Sequence, residues 1–142
     1  LEGMRFTRHY SGSTVCRPSR ASLMTGRHTG HCLIRTNGGS DLPAEEVTIG
    51  ENFKQAGYQT AIIGKWGLGR PESEGAPNVQ GFDHFFGYLD QKLAHSYYPL
   101  YLWRNETKVM LEGNDTHKGP HYSHDLFTKE ALGFIEKNKD NL

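Results

Sequence analysis

The stretch from Thr48 to Lys65 constrains the fold of this chain more than any other. Thr48 followed three residues later by Glu51 is a capping-box pattern, which starts a helix by satisfying its first amides. Gly57 stops that helix. Tyr58 to Ile63 then reads as a strand, and its β-branched, apolar Thr60-Ala61-Ile62-Ile63 segment predicts burial. Gly64-Lys65 follows at once, so Lys65 falls at the strand's C-terminal end, where open α/β sheets collect their ligands. The same alternation recurs elsewhere. Phe6 to Tyr10 reads as a strand, and Tyr101-Leu102-Trp103 with Val109-Met110-Leu111 as a hairpin around Asn105-Glu106. Ser123 is placed to cap a last helix whose Phe127, Ala131, Phe134 and Ile135 share a face. Residues 67–81, rich in Gly and Pro, predict an irregular loop near the candidate site. Strands alternating with helices give an α/β class, with no repeat and no internal boundary over residues 1–142.

A second block lies at Cys16-Arg17-Pro18-Ser19-Arg20, continuing through Ala21-Ser22-Leu23-Met24-Thr25-Gly26-Arg27. Pro18 suits the first turn of a helix, Ser19 to Thr25 reads as that helix, and Gly26 is its stop. Cys16 is thereby expected just before the helix N-terminus, where unpaired amides and the positive end of the dipole favour an anion. Arg20 lies about one turn further on, close enough to reach back. Gly64-Lys65 invites comparison with a phosphate-binding P-loop. That fails, because the preceding Gly57 is too distant and Trp66 stands where a Ser or Thr is required.

The Cys-x-Pro-Ser-Arg core with its closing Thr-Gly-Arg resembles the signature of the sulfatase family. Gly64-Lys65-Trp66-Gly67-Leu68-Gly69 resembles the family's second signature. Gly81-Phe82-Asp83-His84-Phe85-Phe86-Gly87-Tyr88 resembles a later aromatic stretch that precedes a substrate-lining loop. The resemblance implies a segment of an alkaline-phosphatase-like α/β sandwich, with a central mixed, mostly parallel sheet. It also implies that Cys16 is oxidised to formylglycine by a formylglycine-generating, or sulfatase-maturing, enzyme. The hydrated aldehyde is a hard oxygen ligand for Ca²⁺ or Mg²⁺, which a thiolate is not. One of its hydroxyls attacks sulfur and displaces the alcohol. The second helps expel sulfate and restores the aldehyde, so that one hard step becomes two easier ones.

By the same resemblance Arg20 binds sulfate or holds the diol, and Lys65 contacts formylglycine and the sulfate ester oxygens. Many members carry histidine two residues after this lysine; here that position is Gly67. His95, in Ala94-His95-Ser96-Tyr97-Tyr98-Pro99, is the candidate to replace it, in a catalytic and substrate-binding role. Only Cys16, as formylglycine, is a metal ligand within the chain. The family's carboxylate ligands include an adjacent Asp pair, and no such pair occurs here; Glu45-Glu46 is the single adjacent acidic pair.

A sulfated small molecule or carbohydrate is the implied substrate, and a periplasmic, secreted or lysosomal location the implied address. Phosphonate or phosphate monoesters are the alternative substrates, because their esters share the tetrahedral shape. A non-catalytic fragment is the third reading.

Composition is consistent with part of a larger domain. The 142 residues are 35% hydrophobic with a formal net charge of +0. That predicts a thin core and gives no electrostatic footprint for nucleic acid. No apolar run approaches membrane-spanning length. Leu1 to Phe6 lacks the apolar region of a signal peptide and reads as the middle of a longer chain. Cys16 and Cys32 are the two cysteines, and Cys32 reads as a free thiol. Asn105-Glu106-Thr107 and Asn114-Asp115-Thr116 match the glycosylation sequon, a pattern short enough to arise by chance.

Overall fold

A computed structural model describes residues 3–140. Its elements are helix α1 (Cys16–Thr25), helix α2 (Ile49–Gln55), strands β1 (Ala61–Lys65) and β2 (His84–Tyr88), strands β3 (Tyr101–Arg104) and β4 (Thr107–Met110), and helix α3 (Ser123–Asn138). The sheet is mixed, in the order β1-β2-β3-β4. β1 and β2 are parallel, with Ile62 opposite Phe85, Ile63 opposite Phe86 and Lys65 opposite Tyr88. The pairs β2–β3 and β3–β4 are antiparallel.

Successive strand residues point to opposite faces, and the core divides accordingly. Ile62 and Phe85 pack with Ala21, Met24, Leu42, Trp66 and Leu68 on the face of α1. Ile63, Phe86 and Tyr88 pack with Leu102, Val109, Leu126 and Phe127 on the face of α3. β1 and β2 lie so close at one point that a Cβ on Gly87 would fall on the Gly64 carbonyl oxygen. Glycine at position 87 lets the parallel pair close, whereas Gly64 meets no neighbour there and is called for by its φ of 117°.

Helix α2 begins as its sequence requires. The Thr48 side chain accepts from the Glu51 amide, and the Glu51 carboxylate accepts from the Thr48 amide. The hairpin turns at Asn105, whose φ is 51°. Its side-chain oxygen accepts from the Phe85 amide at 2.8 Å, pinning the turn to β2.

Four expectations need correction. Phe6 to Tyr10 forms no strand. Both aromatics are exposed and the segment has no ladder partner among the described residues, without which extended backbone has no sheet to join. The strand after α2 begins at Ala61 rather than Tyr58, and Ala61 to Lys65 are half-buried rather than buried. Among the described residues β1 is an edge, paired with β2 alone. Ser123 is not a cap but the first residue of α3; its amide donates to the Tyr97 carbonyl at 2.9 Å. Ile135 is 62% exposed while Phe127, Ala131 and Phe134 turn inward. At about 100° per residue Ile135 falls on the flank of that face. Glu130 takes the inward place instead and binds both His84 and Arg104.

Candidate active site

Helix α1 lies across the end of β1, and two arginines fasten it there. The Arg20 Nε donates to the Trp66 carbonyl at 2.7 Å. The Arg17 Nε donates to the next carbonyl, that of Gly67, at 3.1 Å. These carbonyls are available because the amides of Trp66 and Gly67 point the other way, donating to Tyr88 and Leu89 as an extension of the β1–β2 ladder. The chain leaving β1 is therefore bonded on one side to the sheet and on the other to α1.

Cys16 is the first residue of α1 rather than the residue before it; Val15 is the cap. The difference is one position, and Cys16 remains at the helix's amide-bearing end. Val15 has no side-chain group to cap with, so the Arg17 amide is satisfied from outside, by the Asn37 side-chain oxygen at 3.0 Å. Cys16 and Arg20 are four apart and share one face of the helix. Burial pushes the Arg20 guanidinium below its ordinary pKa, and the nearby Cys16 sulfur pulls it back up.

Lys65 ends β1 opposite Tyr88 and two residues before Gly67. Its ammonium makes no hydrogen bond or ion pair among the described residues. Cys16, Arg20 and the Lys65–Gly67 segment are thus assembled at one edge of the sheet, by contacts fifty or so residues apart in sequence.

His95 lies beyond the same end of β2. It ends a short 3-10 turn, Leu93–His95, and is exposed. Its neighbour Ser96 accepts from the Tyr88 hydroxyl at 2.7 Å, which ties the turn to the strand end that faces Lys65. The His95 ring itself makes no hydrogen bond with Cys16, Arg20 or Lys65. His84 belongs to the opposite end of the strands: it pairs with Ala61, binds Glu130 at 2.9 Å and stacks on Phe134.

Two residues of this edge carried no signal in the sequence. Arg17 occupies the variable position of the Cys-x-Pro-Ser-Arg core, yet it is buried and donates to Gly39, Ser40, Gly67 and Asp41. Gln91 donates to the Gly67 carbonyl at 2.9 Å. Gly67 has φ 74°, a region that disfavours most side chains, and a Cβ there would fall on the Gln91 amide nitrogen. The aspartate bound to Arg17 holds Arg70 as well, at 2.9 Å. Burial would raise the Asp41 carboxyl, but the Arg70 side chain and amide outweigh it and hold the group below its usual range.

No three His, Cys, Asp or Glu converge among the described residues in a way that could hold a metal ion. A hard cation needs several oxygens, and these residues do not supply that set. No helix is long and apolar enough to cross a membrane.

The family model described as Sulfatase matches residues 1–141. The chain is 37% identical over 163 residues to an arylsulfatase of Hemicentrotus pulcherrimus, covering 96% of this chain and 28% of that protein. It is 47% identical over 92 residues to arylsulfatase G of Homo sapiens, covering 61% of this chain and 17% of that protein. Among solved structures it superposes with a TM-score of 0.69 and 32% identity on a protein in complex with its substrate D-glucosamine-2-N,6-O-disulfate. That match covers 95% of this chain and 24% of the other. The chain therefore spans about a quarter or less of the length of these relatives.

Proposed function

We propose, on the premise that this chain belongs to the sulfatase family, that it forms the nucleophile-bearing part of a sulfuric ester hydrolase. The observation that carries the reading is the Arg20–Trp66 bond, which seats the Cys16 end of α1 against the strand that ends in Lys65. Sulfatases in general use a formylglycine and a metal. Here the formylglycine would be made from Cys16 by a maturing enzyme, and the ion would be Ca²⁺ or Mg²⁺. The described residues offer no cluster for that ion, so its carboxylate ligands would come from elsewhere in a longer protein.

What these residues contribute is charge and position. The α1 N-terminus directs partial positive charge at the Cys16 position. Arg20 stands one turn away, held by its Nε to Trp66 with the rest of its fork beyond that bond. Lys65 supplies a second cation from the strand end. Two cations and a helix terminus suit a sulfate group that gains negative charge on its oxygens as the ester bond breaks. His95, exposed beyond the end of β2, is the candidate imidazole to move a proton, in place of one at Gly67.

The substrate class is a sulfated small molecule or carbohydrate. The relative solved with a disulfated glucosamine supports the carbohydrate. By family the location is periplasmic, secreted or lysosomal. Paired aryl sulfate and aryl phosphate esters, offered to the full-length protein after co-expression with a maturing enzyme, test the reading. Sulfate turnover should exceed phosphate turnover in kcat/KM. A preference for phosphate, or an intact Cys16 thiol in an active enzyme, would overturn it.

A further inference from the structure

Arg17 and Gln91 converge on a single carbonyl. The Gly67 oxygen accepts from the Arg17 Nε at 3.1 Å and from the Gln91 Nε2 at 2.9 Å, which uses both of its lone pairs. Both donors are committed to this job. Arg17 is buried, and its remaining nitrogens are taken by the Gly39 and Ser40 carbonyls and Asp41. Gln91 leaves its own Oε1 buried with no hydrogen-bond partner among the described residues. An unsatisfied buried amide oxygen is costly, and the nitrogen of the same group is held on Gly67. The fit is also steric, since the Gln91 amide occupies the space that any side chain at position 67 would need.

Neither residue is itself a candidate catalytic group, but the carbonyl they share joins the two segments that carry those groups. Arg17 is the peptide neighbour of Cys16, and Gly67 lies two residues past Lys65. The Arg17–Gly67 bond is thus a short covalent-plus-hydrogen-bonded path from the nucleophile position to the lysine, running beside the one through Arg20 and Trp66. Arg20 makes the parallel bond to Trp66, so two arginines of α1 hold neighbouring carbonyls past Lys65.

We infer that Arg17, with Gln91 bracing the same carbonyl, is a positioning residue that sets the separation of Cys16 from Lys65. The inference rests on the sulfatase reading given above. A lysine at 17 keeps the charge but loses the planar fork, so it cannot serve Gly67, Gly39 and Ser40 together. Methionine at 91 keeps the shape and loses the donor.

The test uses the full-length, matured protein with Arg17→Lys and, separately, Gln91→Met. Aldehyde content is counted by hydrazide labelling and mass spectrometry. Then kcat and KM per aldehyde are measured on an aryl sulfate well below the melting temperature, which is recorded separately. Arg17→Lys should lower kcat per aldehyde by about tenfold to a hundredfold, as a small misplacement of reacting groups does, with KM changed by less than about twofold. Gln91→Met should lower it by about threefold to tenfold, the scale of one neutral hydrogen bond. If Arg17→Lys does not fold, Gln91→Met decides. Wild-type kcat per aldehyde in a folded variant, with only a lower melting temperature, would overturn the positioning role. A wild-type protein that carries no aldehyde or turns over no sulfate ester would instead overturn the sulfatase reading, and this inference with it.

Discussion

At the residue scale the site depends on which groups bear charge and which only hold it in place. Peptide mass spectrometry after co-expression with a maturing enzyme should find Cys16 converted to the aldehyde. Lys65→Ala in the full-length protein should lower kcat by about 10²–10³, the cost of losing one donor to developing negative charge. If His95 moves the proton, His95→Ala should reduce kcat and shift the pH–rate profile near neutrality. An unchanged profile with a normal kcat would confine His95 to shaping its loop. Asn114 illustrates a short motif overruled by its surroundings. Its amide nitrogen donates to Pro99 at 2.8 Å and His121 at 2.9 Å, and the residue is buried. The sequon there is not open to a glycan, which needs an exposed side-chain nitrogen.

At the element scale, α2 and β1 act as one unit. The Thr48 hydroxyl accepts from the Glu51 amide and donates to the buried Gln80 carbonyl at 2.6 Å. Thr48→Ala should therefore cost about 1–2 kcal/mol in denaturant melts, the upper part of the range for a lost cap. Asp83 ties α2 to the start of β1 and β2: it binds Lys54 at 2.7 Å and accepts from Thr60. The Lys54 hydrogen bond is the main reason its carboxyl titrates below the ordinary value. A lowered folded-state pKa gives stability that is present above the unfolded value, about 3.9, and is lost as pH falls through the folded one. The melting temperature should accordingly fall below about pH 4, and Asp83→Asn should flatten that part of the curve. An identical slope in the variant would show that Asp83 is not its source.

At the scale of the whole molecule, the described residues make a two-faced sheet with one bare edge and many exposed apolar side chains. Ile49, Phe53 and Tyr58 around α2 are each more than 40% exposed, beside the unpaired side of β1. Together with a span of about a quarter of its relatives, this leads to the expectation that the 142 residues alone are inactive and bind divalent cations weakly. Calorimetry with Ca²⁺ or Mg²⁺ should show no submicromolar site. Such a site, or sulfatase turnover by this segment, would show that the catalytic apparatus is complete within it.

The sequence by itself determined the local grammar: the capping box at Thr48, the β-branched run into Gly64-Lys65, the proline in the first turn of α1, and the hairpin about Asn105. Each follows from backbone preferences acting over a few residues. It also carried the two blocks by which Cys16, Arg20 and Lys65 stood out, because chemistry of that kind needs particular side chains at fixed spacing. Only the tertiary structure decided how those blocks meet. Arg17 fills the variable position of the first block and Gln91 falls in none of the motifs, since nothing local requires either. Their contacts meet at one carbonyl, fifty residues from the first and twenty-four from the second. The half-burial of β1 and the outward turn of Ile135 were likewise set by neighbours, because a pattern of apolar residues states what can be buried and the packing partners decide what is.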